Sequence, residues 1–268
     1  MATNEKQEVL ATVNGFLKSI SKQKPHSPNI LEYILPDSFA VLSHQDELIQ
    51  CTLGELIPRL EGKFSKIIES GTTSAGESIP EPDPDIWVHE RFAAVWNGFS
   101  IQVDGVEELH GASAFTLLRG DDGWKIAALA DTQWKADKQD PPRLVKEATP
   151  ELMAPVLDLV QLLNDEKWDE VMRPMLPGGG ATYSRFPNTL LHMLWPEFYA
   201  RMRVMLERAP GYVEQKLMDW EGRMIGDLGF VWTPFTVAMD GELRIRGFNI
   251  FTLLRKDGKW LISGVQDG

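Results

Sequence analysis

The chain has 268 residues, a net charge of −12, 43% hydrophobic and 25% charged side chains. That length is comfortable for two domains, the composition is ordinary for a globular protein, and the acidic balance excludes the basic field a nucleic-acid backbone requires. A single cysteine, Cys51, excludes an intrachain disulfide and points to a reducing compartment; with no apolar signal core in "MATNEKQEVL" and no apolar run near the ~20 residues of a membrane span, a cytoplasmic protein with no membrane partner is expected.

In chain order, "QEVLATVNGFLKSI" carries apolar residues at helical spacing, and "ILEYIL" suggests a second short helix. "PDSFAVLSH" reads as a short strand and "TLGELIPRLEGKF" as an amphipathic helix. The proline-rich "ESGTTSAGESIPEPDPD" reads as a loop. From residue 92 the pattern changes to long alternating strands. Asp104-Gly105 between two of them suggests a two-residue hairpin turn with positive φ, and "GDDG" marks the next turn.

After the charged, proline-paired "KADKQDPPRLVKEATP" the same order begins again. "PELMAPVLDLVQLL" and "WDEVMRPML" are the helical stretches, "PGGGATYSR" the short strand, and "WPEFYARMRVMLER" the amphipathic helix. "FTLLR" occurs at 115–119 and again at 251–255. With that offset of 251 − 115 = 136, residues 92–131 overlie 228–267 and 15 of 40 pairs are identical, several times the chance level. Two copies are too few for a solenoid, so a whole domain is duplicated. The expected domains are 1–136 and 148–268, with 137–147 as linker.

Counting back from the turns places Phe99 opposite His110 and Ala112 opposite Asp131. One face of the first sheet then carries Asn97, Phe99, His110, Thr116 and Asp131. The other carries Phe92, Trp96, Ser113, Phe115 and Trp124. The second copy repeats this, with Arg246, Phe248 and Asp267 on one side and Trp232, Asn249, Phe251 and Trp260 on the other. The aromatic faces are expected to be covered by the helices of their own copies. Apolar residues on the opposite faces imply cover there as well, and two repeats packed sheet to sheet, imitating a twofold dimer within one possibly monomeric chain, would supply it.

On this register His110 and Asp131 form an acid–base pair, able to shuttle a proton on an enolisable substrate, but their place off the aromatic face favours a polar contact between repeats. Arg246 and Asp267 would make the corresponding ion pair. His89, beside Glu90, opens the long strand where a pocket mouth would lie, and His44 and His192 fall near pocket rims. Trp96, Phe115, Trp232 and Phe251, with Ser113, are core residues or the lining of an aromatic, substrate-binding pocket. Methionines at 193, 202, 205, 218, 224 and 239 suit a bulky apolar ligand or gap-filling. "PGGG" lacks the Lys-Ser/Thr of a phosphate loop. Metal-ligand spacing, a nucleophile elbow and a dinucleotide fingerprint are missing, so neither a metal nor another cofactor is expected.

The element order and the pattern shared by "HGASAFTLLRGDDGWKIAALAD" and "RGFNIFTLLRKDGKWLISGVQD" resemble the nuclear-transport-factor-two-like superfamily, nearest its SnoaL-like and scytalone-dehydratase-like members. The resemblance implies an α+β class of cone-shaped, cystatin-like barrels in which a bent mixed sheet wraps helices around a pocket. "VHERF" resembles the dehydratase segment with a catalytic histidine, which would be His89. Tyr183 resembles the tyrosine that orients a water, and Asn249 the pocket asparagine, with Ser113 in the first copy; the helical aspartate has Asn164 as its nearest match. The resemblance implies a cofactor-independent isomerase, cyclase or dehydratase acting on a hydrophobic small molecule, as in secondary metabolism. The alternative it leaves open is a non-catalytic binding or protein-interaction scaffold, since one fold carries many functions.

Overall fold

Alternating apolar residues over 12 to 15 positions, closed by Asp-Gly turns, build the longest strands of the chain. In the computed structural model, which describes residues 2–21, 29–44, 47–69, 71–72, 74–79, 83–137, 142–186 and 189–268, the chain divides into two compact units, 1–143 and 144–268. Each unit is a seven-stranded mixed sheet with two α-helices.

The first unit runs α1 (Ala2–Ile20), β1 (Ile34–His44), β2 (Glu47–Thr52), α2 (Leu53–Glu69), β3 (Ala75–Ser78), β4 (Asp85–His89), β5 (Phe92–Val103), β6 (Val106–Gly120) and β7 (Gly123–Lys135). Its strands are ordered β2-β1-β7-β6-β5-β3, with β4 also pairing β5 and with β1 parallel to β7. The second unit repeats this as α3 (Pro150–Asn164), β8 (Met175–Phe186), β9 (Thr189–Leu194), α4 (Trp195–Glu207), β10 (Val213–Leu217), β11 (Glu221–Ile225), β12 (Leu228–Met239), β13 (Glu242–Lys256) and β14 (Lys259–Asp267). Its order is β9-β8-β14-β13-β12-β10, with β11 on β12.

Three local expectations change. "ILEYIL" is a single 3₁₀ turn at Ile30–Glu32 that passes directly into β1. "WDEVMRPML" is a run of turns, since Pro174 stops any helix before β8 begins at Met175. The stretch read as a loop contains β3, an edge strand of four residues too short to show a period.

The Asp-Gly turns behave as read. Asp104 and Gly105 have φ of 49° and 80°, and Asp240 and Gly241 have 51° and 81°, the positive pair of a type I′ hairpin. Both aspartates have a second task. The Asp104 carboxylate accepts the Ser74 N–H at 2.9 Å, and Asp240 accepts that of Tyr212 at 2.9 Å, clasping the turn to the chain leading into the neighbouring edge strand. A carboxylate accepts such a bond more strongly than the amide oxygen of an asparagine would.

The strand faces differ from the simple count. Ile101 pairs with Leu109 while Gln102 pairs with Glu107, leaving Glu108 bulged; Thr116 pairs with Ala128 while Leu117 pairs with Ile126, leaving Ala127 bulged. Arg244 and Ser263 are bulged at the equivalent places of the second unit. One extra residue inverts the facing of everything beyond it. The helix-covered face of the first unit therefore holds Val95, Phe99, Phe115, Leu117, Trp124 and Ile126 in one core with Val9, Val13 and Phe16 of α1. Phe115 meets Phe16 edge-on at 6.1 Å. The second core repeats the scheme with Leu152, Val156 and Leu159 of α3 against Val231, Phe251 and Trp260. The α3 helix begins on the Thr149 side chain, which accepts the Leu152 N–H, with Pro150 in its first turn.

Candidate functional site

The bulges bring one polar rung to the helix-covered face of each sheet. In the first unit Asn97 lies opposite Ser113, Ser113 opposite Asp131, and Asp131 beside Leu42. In the second, Thr233, Asn249, Asp267 and Tyr183 take the same four places. Neighbours of this kind stand ~5 Å apart, close enough to act on one ligand.

His110 is not part of this rung. It pairs with Ser100 and Trp134 on the opposite face, its ring 6.1 Å from Trp134, so the expected His110–Asp131 pair is replaced. Asp131 instead bonds His44, whose Nε2 lies 2.9 Å from Oδ1. One intervening bulge, at Ala127 and invisible in the alternation, exchanges one histidine for the other. Arg246 is exposed and pairs with Thr236 on the face opposite Asp267, which replaces the expected ion pair. His89 is half-buried at the end of β4, paired with Phe92, so it faces away from the side on which Val88 and Ile86 meet the core. Trp96 and Trp232 also stand opposite the helix-covered face, paired with Ala114 and Ile250, and Trp232 packs on Phe248 at 5.1 Å. His192 lies in β9, not at the start of α4, its ring nitrogen 3.0 Å from the Thr182 hydroxyl. Asp131, Ser113, Phe115, Tyr183, Asn249, Asp267 and Phe251 are the sequence candidates that reach the interior.

Two further interior residues carry no sequence motif. Glu77 pairs with Ile101 and Gln215 with Val237, so they occupy one place in the two units. Each is held from the end of the first helix of its unit. The Ser21 hydroxyl accepts the Glu77 N–H at 3.1 Å while donating to the Leu17 carbonyl. Asn164 takes Gln215 at both backbone groups, accepting its N–H at 2.8 Å and donating to its carbonyl at 2.9 Å. Asn164 is therefore an anchor for the edge strand rather than the counterpart of a helical acid.

Burial, reinforced by the Asp131 carboxylate and opposed by Lys63, pushes the Glu77 carboxyl up to about 8. At neutral pH it is a carboxylic acid, a hydrogen-bond donor in a protein interior. The second unit has at that place the amide Gln215, the neutral isostere of the same acid.

Two cavities adjoin in the second unit. One of about 40 Å³ is lined by Tyr183, Gln215, Asn249 and Asp267 with Phe198 and Phe251 among its apolar walls. The Tyr183 and Phe198 rings lie 6.1 Å apart. Asn249 lines the chamber, and its Oδ1 is buried without a hydrogen-bond partner. A second cavity, of about 380 Å³, is apolar, with Met202, Met205, Met239 and Ile245 on its walls. The two share Leu163, Met202 and Gln215. In the first unit Ile20, Ala75 and Ile101 stand where Leu163, Val213 and Val237 line the larger cavity, and all three belong to the hydrophobic core. Every methionine except Met1 lies in the second unit. The methionine count was the one sequence signal for this asymmetry.

Among the described residues no group of three or more His, Cys, Asp or Glu side chains is placed to hold a metal, and no helix is long and apolar enough to cross a membrane.

No family model matches the chain, and no curated protein matches it in sequence. Solved structures do resemble it, each over about half its length. A protein of unknown function with a cystatin-like fold from Nostoc punctiforme PCC 73102 is 14% identical over 45% of this chain and 92% of its own, with a TM-score of 0.39. An NTF2-like protein of unknown function from Pseudomonas putida KT2440 is 14% identical over 45% of this chain and 85% of its own, at 0.40. An NTF2-like superfamily protein from Salmonella enterica serovar Typhimurium LT2 is 15% identical over 49% and 92%, at 0.38.

Proposed function

We propose that the chain is a cofactor-independent acid–base enzyme acting on an apolar small molecule, and that the interior of the second unit is its pocket. The observation that carries this reading is the convergence of Tyr183, Asn249 and Asp267 on a small chamber adjoining an apolar cavity of about 380 Å³. That volume is at the lower end for small-molecule sites, and apolar walls with a few converging polar groups are their usual make-up. Asp267 is the base, taking a proton from the carbon beside an oxygen-bearing carbon. The Tyr183 hydroxyl and the amide groups of Asn249 and Gln215 hold that oxygen as its charge grows. Return of the proton at another carbon gives isomerisation; departure of a hydroxyl group with a proton gives dehydration.

The test is proton exchange. β-Tetralone, an apolar enolisable ketone, is incubated with the full chain in D₂O and its α-protons are followed by NMR. Asp267→Asn should slow exchange by about 100-fold, the low end for a positioned base, with folding unchanged by circular dichroism. Wild-type protein that binds the ketone without accelerating exchange would leave a binding protein in place of an enzyme.

A further inference from the structure

The cavity pair constrains the ligand more closely than its polarity does. A cavity needs about 10–15 Å³ to hold one water, so the inner chamber of about 40 Å³ takes about three water-sized groups and the outer cavity of about 380 Å³ a whole hydrocarbon body. A ligand occupying both keeps its bulk in the outer cavity and reaches the chamber with a small polar end. The chamber's built-in groups also have a sense. The buried Asn249 Oδ1 is an acceptor lacking a donor and the Asp267 carboxylate accepts, while the Tyr183 hydroxyl and Gln215 amide can donate to the same oxygen, a combination a hydroxyl group satisfies. A buried acceptor without a partner costs free energy that a ligand donor recovers.

Given the pocket assigned above, on which this rests, we infer that the ligand is a hydroxyl-bearing apolar molecule: a hydrocarbon body in the methionine-lined cavity and one hydroxyl group across the Leu163–Met202–Gln215 wall. Met202, on α4 and common to both cavities, sets how the arm passes. Its unbranched thioether adapts to arms that a rigid side chain would stop. Asn164 fixes the opposite side of the wall, because it holds both backbone groups of Gln215.

The experiment uses the full chain and displacement of the fluorescent probe N-phenyl-1-naphthylamine by three ligands with one body: 2-(2-naphthyl)ethanol, its methyl ether and 2-ethylnaphthalene. In wild type the alcohol binds at least about fivefold more tightly than the ether, the size of effect one recovered hydrogen bond gives. Asn249→Leu removes that advantage and leaves 2-ethylnaphthalene within about twofold. Met202→Phe removes it independently, should Asn249→Leu fail to fold. Val237→Trp, which fills the outer cavity, weakens all three. Equal affinity of alcohol and ether in wild type, with Val237→Trp still weakening both, overturns the hydroxyl assignment and leaves the pocket standing. No probe binding, or binding indifferent to Val237→Trp, removes the pocket and the inference together.

Discussion

Replacing Glu77 by glutamine isolates the interior acid of the first unit. A carboxyl with an ordinary value of 4.5 in the unfolded chain and about 8 in the folded one keeps, between those pH values, a proton that the unfolded chain has released. The folded state then binds more protons, so stability falls as pH rises through that window. The contribution is fully present below 4.5 and is lost by about 8. At about 1.36 kcal/mol per pH unit the whole span is worth about 5 kcal/mol, and about 3 kcal/mol of it is lost by about pH 7. A glutamine side chain at this position has the shape of the protonated acid and no proton to lose. Glu77→Gln should therefore match wild type near pH 4 and exceed it by several kcal/mol at about pH 9. Groups facing Glu77, namely Asp131 with its partner His44, and Lys63, are common to both proteins, so the difference reports Glu77. Urea unfolding of the full chain at about pH 4.5, 7 and 9, followed by tryptophan fluorescence, measures it. A difference constant within about 1 kcal/mol over that range would show that Glu77 ionises normally and refute the argument. The converse substitution, Gln215→Glu, should introduce a similar pH-dependent loss beside Asp267.

Asn164→Ala should cost about 1–3 kcal/mol, because it leaves the Gln215 N–H and carbonyl without their partners; an unchanged urea midpoint would deny the anchor. Thr149→Ala should cost about 1 kcal/mol by removing the cap of α3, read from the same unfolding curves. Gly247→Ala should cost about 1–3 kcal/mol, since a Cβ there lies 2.4 Å from the Gly268 carbonyl oxygen and 2.8 Å from the Phe235 ring. Thermal melts check it, and Gly111→Ala should behave alike, as its Cβ would meet Phe99 at 2.4 Å.

The sequence alone determined the duplication, the α+β class and the turns, because each is written in local chemistry. Helical spacing in "PELMAPVLDLVQLL", alternation around "FTLLR" and the positive-φ preference of Asp-Gly all act within a few residues. Tyr183 and Asn249 were singled out through likeness to a family pattern, and both line the small chamber. What only the tertiary structure decided is which side chains meet. Ala127 bulges out of its ladder and reverses the faces between His110 and Asp131, so Asp131 met His44 in place of His110, while the Glu108 bulge moves His110 from Phe99 to Ser100. Glu77 and Gln215 sit on edge strands joined to the rung only through pairing with β5 and β12, far away in sequence. A bulge answers to the curvature of a sheet closing around its helices, and that is a property of the whole unit which no window of neighbouring residues contains.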